Sequence, residues 1–280
     1  MALSTDTYWE IDGIPLQTMA YNIVTGGGNL WSPPPLRGEG IVVPYRPGAM
    51  WLPRQPDVRT ITLQMWVIGA DVDGNVPASM PMRQQFEAHL NMLQNLLWQP
   101  GRQFVITKRW KEGGSPVVKM ASALGTYDGG FAPAMNGGAR ATFSVDIRLD
   151  DPFFYGPEAT VNFVATATST QTVNILGDYE TTAMTLLLNG ARTNPRLTNM
   201  TNQDYMHLQH TIGGSDTVLI DVNNWTARKN PSSTDVNVIK DIQHMGGKFW
   251  FSLPKGSQQL RITSSSGSAA AVLKYFPRYI

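Results

Sequence analysis

Cysteine is absent from the 280 residues, so disulfides, thiol nucleophiles and Cys-ligated zinc are excluded. Charge is scarce as well. Only 15% of residues are charged, against roughly 25% in an average soluble protein. The net charge of +1 comes from 22 basic and 21 acidic residues, which rules out a disordered acidic or basic tail and a magnet for polyanions. Such poverty of charge predicts that part of the surface is covered by something other than water. Long apolar runs are missing too. The greasiest stretch, Ile61 to Ile68, is broken by Thr62 and Gln64 and falls short of the ~18 residues of a membrane span. Met1 to Asp6 has no basic segment leading into an apolar core, so no secretory signal is expected. Synthesis in the cytoplasm follows as an expectation.

What is present is apolar and turn-rich. Apolar residues make up 42%, and the 26 glycines and 19 prolines are scattered between short runs of strand character. The chain therefore reads as mainly β, with a length that suits about two domains. Asp12-Gly13 between apolar runs predicts a tight hairpin. Gly26-Gly27-Gly28 and Pro33-Pro34-Pro35 cannot sit inside a sheet, so Trp31 to Pro56 is expected to be loop or extended arm around a short strand at Ile41 to Val43. Arg59 to Ile68 alternates Ile61, Leu63, Met65 and Val67 against polar neighbours, the pattern of a half-buried strand. One helix is predicted, with Ser79 as N-cap, Pro81 in the first turn, an apolar stripe of Phe86, Leu90, Leu93 and Leu97, and a stop at Pro100-Gly101. Strands follow at 104–110, 117–124 and 139–149, separated by glycine-rich segments, the second being 125–138. Asp150-Asp151-Pro152-Phe153-Phe154-Tyr155-Gly156-Pro157 breaks the pattern and marks a domain boundary. The domains are thus expected at 1–156 and 157–280. The second shows no helical stripe and reads as eight or nine short strands, which suits a β-sandwich or jelly roll.

A search for chemistry returns little. His207 and His210 stand three apart on an expected strand, so they face opposite sides and cannot easily share a metal. Asp71-Val72-Asp73-Gly74-Asn75 opens like a calcium loop, but Val76 stands where glycine is needed and Met82 where glutamate is needed. Asp150 and Asp151 diverge on an extended backbone and do not make an acid/base pair across a substrate. No phosphate cradle and no nucleophile elbow is present. No catalytic residue, cofactor or metal site is predicted. The aromatic residues remain. Trp31 and Trp51 lie in proline-rich loops, where an indole anchors a partner surface. Trp31, Pro34, Met50 and Trp51 are therefore the candidate subunit-interface residues. Asn223, Asn224, Trp225 and Arg228 form the best local cluster for stacking and hydrogen-bonding a sugar, with a loop packed on the sandwich as the plainer alternative. Asn199-Met200-Thr201 and Asn224-Trp225-Thr226 match the glycosylation sequon, which is idle without secretion.

The order of these features resembles the distal tail proteins of long-tailed, siphovirus-like bacteriophages. The resemblance is carried by Val43-Pro44-Tyr45-Arg46-Pro47-Gly48, the segment Asp57 to Leu63, the boundary Asp151 to Gly156, then Asn194 to Asn199, Leu219-Ile220-Asp221, Phe249 to Gly256 and Val272 to Phe276. These motifs are degenerate singly, and their order spans nearly the whole chain. The resemblance implies a tail-tube-like first domain, a β-barrel or sandwich with one helix, followed by a galectin-like sandwich that decorates the outside. It also implies a non-enzymatic structural role: six copies close a ring that joins the tail tube protein to the tail-tip hub protein. DNA passes through the lumen without specific binding. The expected location is the distal end of the tail in the virion. Two alternatives are a carbohydrate-binding adhesin or minor tail protein that contacts the host surface, and a glycan-degrading tail enzyme, which would need a spaced carboxylate pair.

Overall fold

The computed structural model describes residues 7–24, 28–30, 32–38, 41–42, 49–50, 54–76, 79–111, 118–230, 232–244 and 250–280. Strands dominate, with one α-helix among the described residues, and the chain divides into two units, 1–154 with residue 280, and 155–279.

In the first unit the main strands are β1 (Thr7–Ile11), β2 (Tyr21–Ile23), β3 (Arg59–Ile68), β4 (Gln103–Lys111), β5 (Val118–Gly129) and β6 (Arg140–Leu149), with α1 (Met82–Leu97) between β3 and β4. Laterally they run Ile14–Pro15, β1, β4, β5, β6, β3, β2, each pair antiparallel. The two outermost members of this row are successive in the chain. Six steps from Pro15 to Tyr21 reach about 22 Å at full extension, whereas seven flat strands would span about 29 Å. The sheet must therefore curl until its ends approach. Asp12-Gly13 makes the hairpin the sequence predicts, with φ of 48° and 79° and Ile11 opposite Ile14, the left-handed pair of a two-residue turn.

The corner between the ends is buried, with Leu16 and Ala20 at 0% exposure, so its backbone groups need partners. The Leu16 amide donates to the Trp9 carbonyl at 2.8 Å, and the Trp9 amide donates to Gln17 Oε1 at 3.0 Å. The Met19 amide donates to the Val72 carbonyl at 3.2 Å, and Thr18 serves three more groups. Its hydroxyl donates to the Tyr21 carbonyl at 3.1 Å and accepts from the amides of Ala20 and Tyr21 at 3.2 and 3.1 Å.

Inside the curl, β3 buries Ile61, Leu63, Met65 and Val67, and β6 buries Ala141, Phe143, Val145, Ile147 and Leu149. Each of these side chains other than Ala141 contributes about 1.5–3 kcal/mol on withdrawal from water. The free edge of β3 beyond β2 is closed by one side chain. Asn29 Nδ2 donates to the Thr60 carbonyl at 2.8 Å, and Asn29 Oδ1 accepts from the Thr62 amide at 2.6 Å, a strand partner in miniature.

Several sequence expectations shift. The expected break at Gly125 is instead the middle of β5. A Cβ there would meet Ile147 Cγ2 at 2.7 Å and Leu149 Cδ2 at 3.2 Å, so the glycine makes room for large neighbours on β6. Ser79 does not cap α1: Pro81 holds the N-cap position, and no side-chain cap bond forms. The buried helical residues are Phe86, Leu93, Leu96 and Leu97, with Leu90 only half-buried. The stripe has turned by about one position toward Leu96.

The second unit holds two antiparallel sheets. One contains β7 (Ala159–Phe163), β9 (Met184–Asn189), β12 (Thr217–Asp221), β13 (Thr226–Lys229) and β16 (Ala271–Tyr275), in the order β7, β16, β9, β12, β13, with Val236–Asn237 at its edge. The other contains β8 (Thr168–Ile175), β10 (Arg196–Asn199), β11 (Tyr205–Leu208), β14 (Ile242–His244) and β15 (Gly256–Thr263), in the order β8, β15, β10, β11, β14. Their inward residues form one core: Phe163, Leu186, Leu188, Val218, Ile220 and Leu273 from the first sheet meet Ile175, Leu197, Met206, Leu208, Leu260 and Ile262 from the second. That is a β-sandwich. The strand expected at 248–253 lies partly outside the described residues. Among the rest, Leu253 makes only an isolated bridge to Thr181.

The hairpin of β12 and β13 is pinned at its open end. Lys229 Nζ lies 2.8 Å from Asp216 Oδ2, and Asn230 Nδ2 donates to Asp216 Oδ1 at 2.8 Å. Lys229 above all, helped by Asn230, holds the Asp216 carboxyl down to about 2, with burial acting in the opposite direction.

Two predictions follow from this architecture. Replacing Thr18 with valine keeps its shape but leaves the buried amides of Ala20 and Tyr21 without an acceptor; a loss of about 2–3 kcal/mol is expected in urea denaturation. Because the folded pKa of Asp216 lies below its ordinary 3.8, its stabilising contribution is complete above about pH 4 and is lost as the pH falls toward 2. Denaturation midpoints measured between pH 5 and 2 should fall less steeply in Asp216→Asn than in the parent.

Candidate functional site

Of the four candidate interface residues, Trp31 and Trp51 lie outside the described residues. Met50 belongs to a two-residue strand, Ala49–Met50, paired with Ile41–Val42, and its side chain is likewise outside the description. Pro34 is buried rather than displayed; it lies next to Pro35, whose carbonyl accepts from the Asp57 amide at 2.8 Å. The arm thus folds back at its base onto the start of β3.

A different surface of the first unit exposes four large apolar side chains among polar ones. Register pairs place Val105 opposite Leu124, Thr107 opposite Ser122, Arg109 opposite Met120 and Lys111 opposite Val118 on the outer face of β4 and β5. Val105, Leu124, Met120 and Val118 are exposed at 40, 56, 40 and 43%. The outer face of β3 and β6 is polar by contrast. Thr60, Gln64, Ser144 and Arg148 are exposed on it, Thr62 Oγ1 donates to Asp146 Oδ1 at 2.6 Å, and Arg148 pairs with Asp150 at 2.9 Å. The sequence marked 117–124 as a strand without assigning its faces, and the small inward residues Ala121, Ala123 and Gly125 leave no strong apolar alternation to read them from.

In the second unit, the loop joining β12 to β13 carries Asn223, Asn224 and Trp225. Asp221 ends β12 and organises the loop: its carboxylate accepts from the Asn224 amide at 3.0 Å and from Asn224 Nδ2 at 2.8 Å. Asn223 and Asn224 line a cavity of about 180 Å³ together with Ala183, Met184, Thr185, Asp221 and Phe276. Trp225 is next in the chain. It is 56% exposed and adopts φ of 55°, a left-handed backbone that costs a bulky residue about 1–3 kcal/mol. Its ring lies 6.3 Å from that of Trp250 at 45°. Arg228, the fourth member of the predicted cluster, is not brought to the cavity. It sits opposite Leu219 and forms an ion pair with Asp235. Thr185 and Phe276 were missed by sequence reasoning. They lie some 40 and 50 residues from the loop in the chain, and only the pairing of β9 with β12 and with β16 brings their neighbourhoods together.

The remaining candidates are occupied in structural roles. Asp71 Oδ1 accepts from the amides of Asp73 and Asn75, closing a turn. His89 Nε2 is 2.9 Å from the Ala70 carbonyl, and His210 Nδ1 is 3.1 Å from Asp241. Asp151 accepts from the Phe153 amide. Asn199 of the first sequon is fully buried and bonded to Gln258, so that sequon is closed to modification in the folded chain. No group of three or more potential metal ligands occurs among the described residues.

Comparison with known proteins gives a consistent placement. Residues 176–279 match the family model of the siphovirus-type tail component, C-terminal domain. No curated protein matches in sequence. Among solved structures, the SPP1 Dit protein, described as a paradigm of the hub adsorption apparatus in phages infecting Gram-positive bacteria, aligns with 98% of this chain and 99% of its own at 13% identity and a TM-score of 0.63. Chains of the phage P2 baseplate in its activated conformation align over 97% of this chain with calcium and 96% with strontium, at 10% and 9% identity and TM-scores of 0.43 and 0.42. Residues 176–279 are therefore a siphovirus-type tail-component C-terminal domain, and the chain that carries them has the fold of a Dit, or distal tail, protein.

Proposed function

We propose that this protein builds a ring at the distal end of a phage tail, with six copies surrounding the DNA channel and joining the tail tube to the tail-tip hub. The first unit supplies the ring contacts. The observation that carries this reading is the exposed apolar row Val105, Val118, Met120 and Leu124 on the outer face of β4 and β5. A single chain gains nothing by leaving four large apolar side chains in water on adjacent strands, and apolar residues rimmed by polar ones, here Arg109, Lys111 and Ser122, mark contact surfaces. A contact between this face and a different face of the next copy is heterologous, and a rotation that repeats six times closes it into a ring. The polar outer face of β3 and β6 suits the lumen. Its basic side chains, Arg140 and Arg148, are matched in number by Asp146 and Asp150, with Arg148 paired to Asp150, so phosphates sliding past meet no net basic field that would hold them.

Leu124→Asp tests the contact. Leu124 is exposed, so the substitution should shift the stability of the isolated chain by no more than about 0.5 kcal/mol. Incorporation into tails, measured by complementing a phage that lacks the gene, should fall at least tenfold. Normal incorporation of Leu124→Asp would remove this face from the ring contact.

A further inference from the structure

We infer that the outer face of the second sandwich sheet, around Arg196 and Arg261, is a docking surface for a protein segment that presents two carboxylates. This inference is independent of the ring, because it rests on the second unit alone. The inward residues Leu197, Met206, Leu208, Leu260 and Ile262 belong to the core, so alternation puts Arg196, Tyr205, His207, Gln259, Arg261 and Thr263 on the other side. Register sets His207 directly opposite Arg196 on β11, and Thr263 opposite it on β15, two residues from Arg261. Diagonal neighbours of this kind stand about 7 Å apart. Three observations converge here. First, the five strands β8, β10, β11, β14 and β15 contain no aspartate or glutamate, and Arg196 and Arg261 are their only arginine or lysine residues. The acids that flank the sheet are engaged elsewhere, Asp204 with Asn202 at 2.7 Å and Asp241 with His210 at 3.1 Å. Second, among the described residues no ion pair reaches either guanidinium, and the Nε of each is buried without a hydrogen-bond partner. Arg192 also buries its Nε, but its terminal nitrogens bond Ser264 and the Ala269 carbonyl. Third, the Arg196 guanidinium lies 3.7 Å from the centroid of the Tyr205 ring, which positions it without neutralising it.

The chemistry selects the partner. Two like charges on adjacent strands, each with a dehydrated donor, weaken the isolated sheet. Oxyanions set against the two guanidinium forks remove both penalties. Only two fixed positive charges stand on this sheet, in a chain whose net charge is +1. That is too few to hold a polyanion, which binds by displacing many counterions at once, and it suits discrete carboxylates. Arginine and tyrosine are also the residues that concentrate at the centre of protein–protein contacts, and the short uncharged side chains around them, Thr263 among them, let a partner approach closely. Alternate residues of an extended segment lie about 6.6 Å apart on one side, so two glutamates separated by one residue match the spacing of the two arginines.

The test titrates the full chain in physiological salt and follows its amide magnetic-resonance spectrum. The probes are a peptide of alternating glutamate and threonine, the same peptide with glutamine for glutamate, and tripolyphosphate. The glutamate peptide should bind at millimolar concentration or below, with shifts confined to β10, β11 and β15, and the glutamine peptide should not bind. That comparison uses the parent chain and needs no variant. Arg196→Gln and Arg261→Gln should each weaken binding at least tenfold while the melting temperature stays level or rises, because neither arginine is ion-paired in the free chain. Lys274→Gln removes the same charge from the other sheet, where Lys274 pairs with Glu158 at 2.9 Å, and should leave binding unchanged. Absence of binding by the glutamate peptide, or an equal loss in Lys274→Gln, would overturn the site. Tighter binding of tripolyphosphate would make the occupant a phosphate polymer, and self-association of the chain abolished by Arg261→Gln would make it a second copy; either contradicts the inference. None of these results bears on the ring contact, which Leu124→Asp probes in the first unit.

Discussion

The two end strands of the first sheet are neighbours in the chain, and five residues, Leu16 to Ala20, must bridge them. That tether is too short for a flat sheet, so curvature is imposed by covalent connectivity before any packing energy is counted. The rest of the unit follows from it. Curling gives the sheet an inside, and the inside must be filled, which β3 and β6 do with one large apolar residue every second position. It also gives the sheet an outside whose two halves differ: mostly polar along β3 and β6, and carrying four exposed large apolar residues along β4 and β5. The corner itself survives burial because Thr18 meets three backbone groups with one hydroxyl. A sheet curled on itself also limits the free edge available for uncontrolled pairing. Where β3 would still present an edge, the Asn29 side chain occupies it.

The second unit solves its burial problem differently, by stacking two antiparallel sheets over a shared core. At one loop the usual rule for residues with positive φ is broken. Asp12, Asn194, Gln203 and Asn230 adopt such angles with polar side chains that tolerate them. Trp225 does not belong in that company. Its ring packs against that of Trp250, 6.3 Å away.

How much of this was legible in the sequence depends on the range over which the cause acts. Alternation in Arg59 to Ile68 and Arg140 to Leu149 is a local signal, and both strands stand where it put them. The Asp12-Gly13 turn and the single helix are local too. Ser79 misled because a good capping residue is no guarantee of a cap when Pro81 already sets the helical φ at the start. The reading of Gly125 as a strand break failed because the reason for that glycine is on another strand, in the bulk of Ile147 and Leu149. Thr226 to Lys229 was unreadable as a strand, since its face is decided by Leu219 and Ile220 across the hairpin. Asn29 holds an edge some thirty residues away, and the cavity beside the β12–β13 loop needs Thr185 and Phe276, which only sheet pairing brings to Asp221. The resemblance to distal tail proteins, by contrast, rested on the order of many weak segments, and the order is what tertiary fold preserves when identity has fallen to 13%.

The central claim is that copies of this chain meet through the outer face of a curled sheet and close around a channel. Averaging of intact tails along their axis tests it most directly. The account predicts one layer, between tube and hub, with six-fold symmetry, in which the curled sheet of each copy presents β4 and β5 to its neighbour. Density for this chain in a trimeric fibre, or in a six-fold layer whose subunits leave Val105, Met120 and Leu124 in solvent, would contradict it.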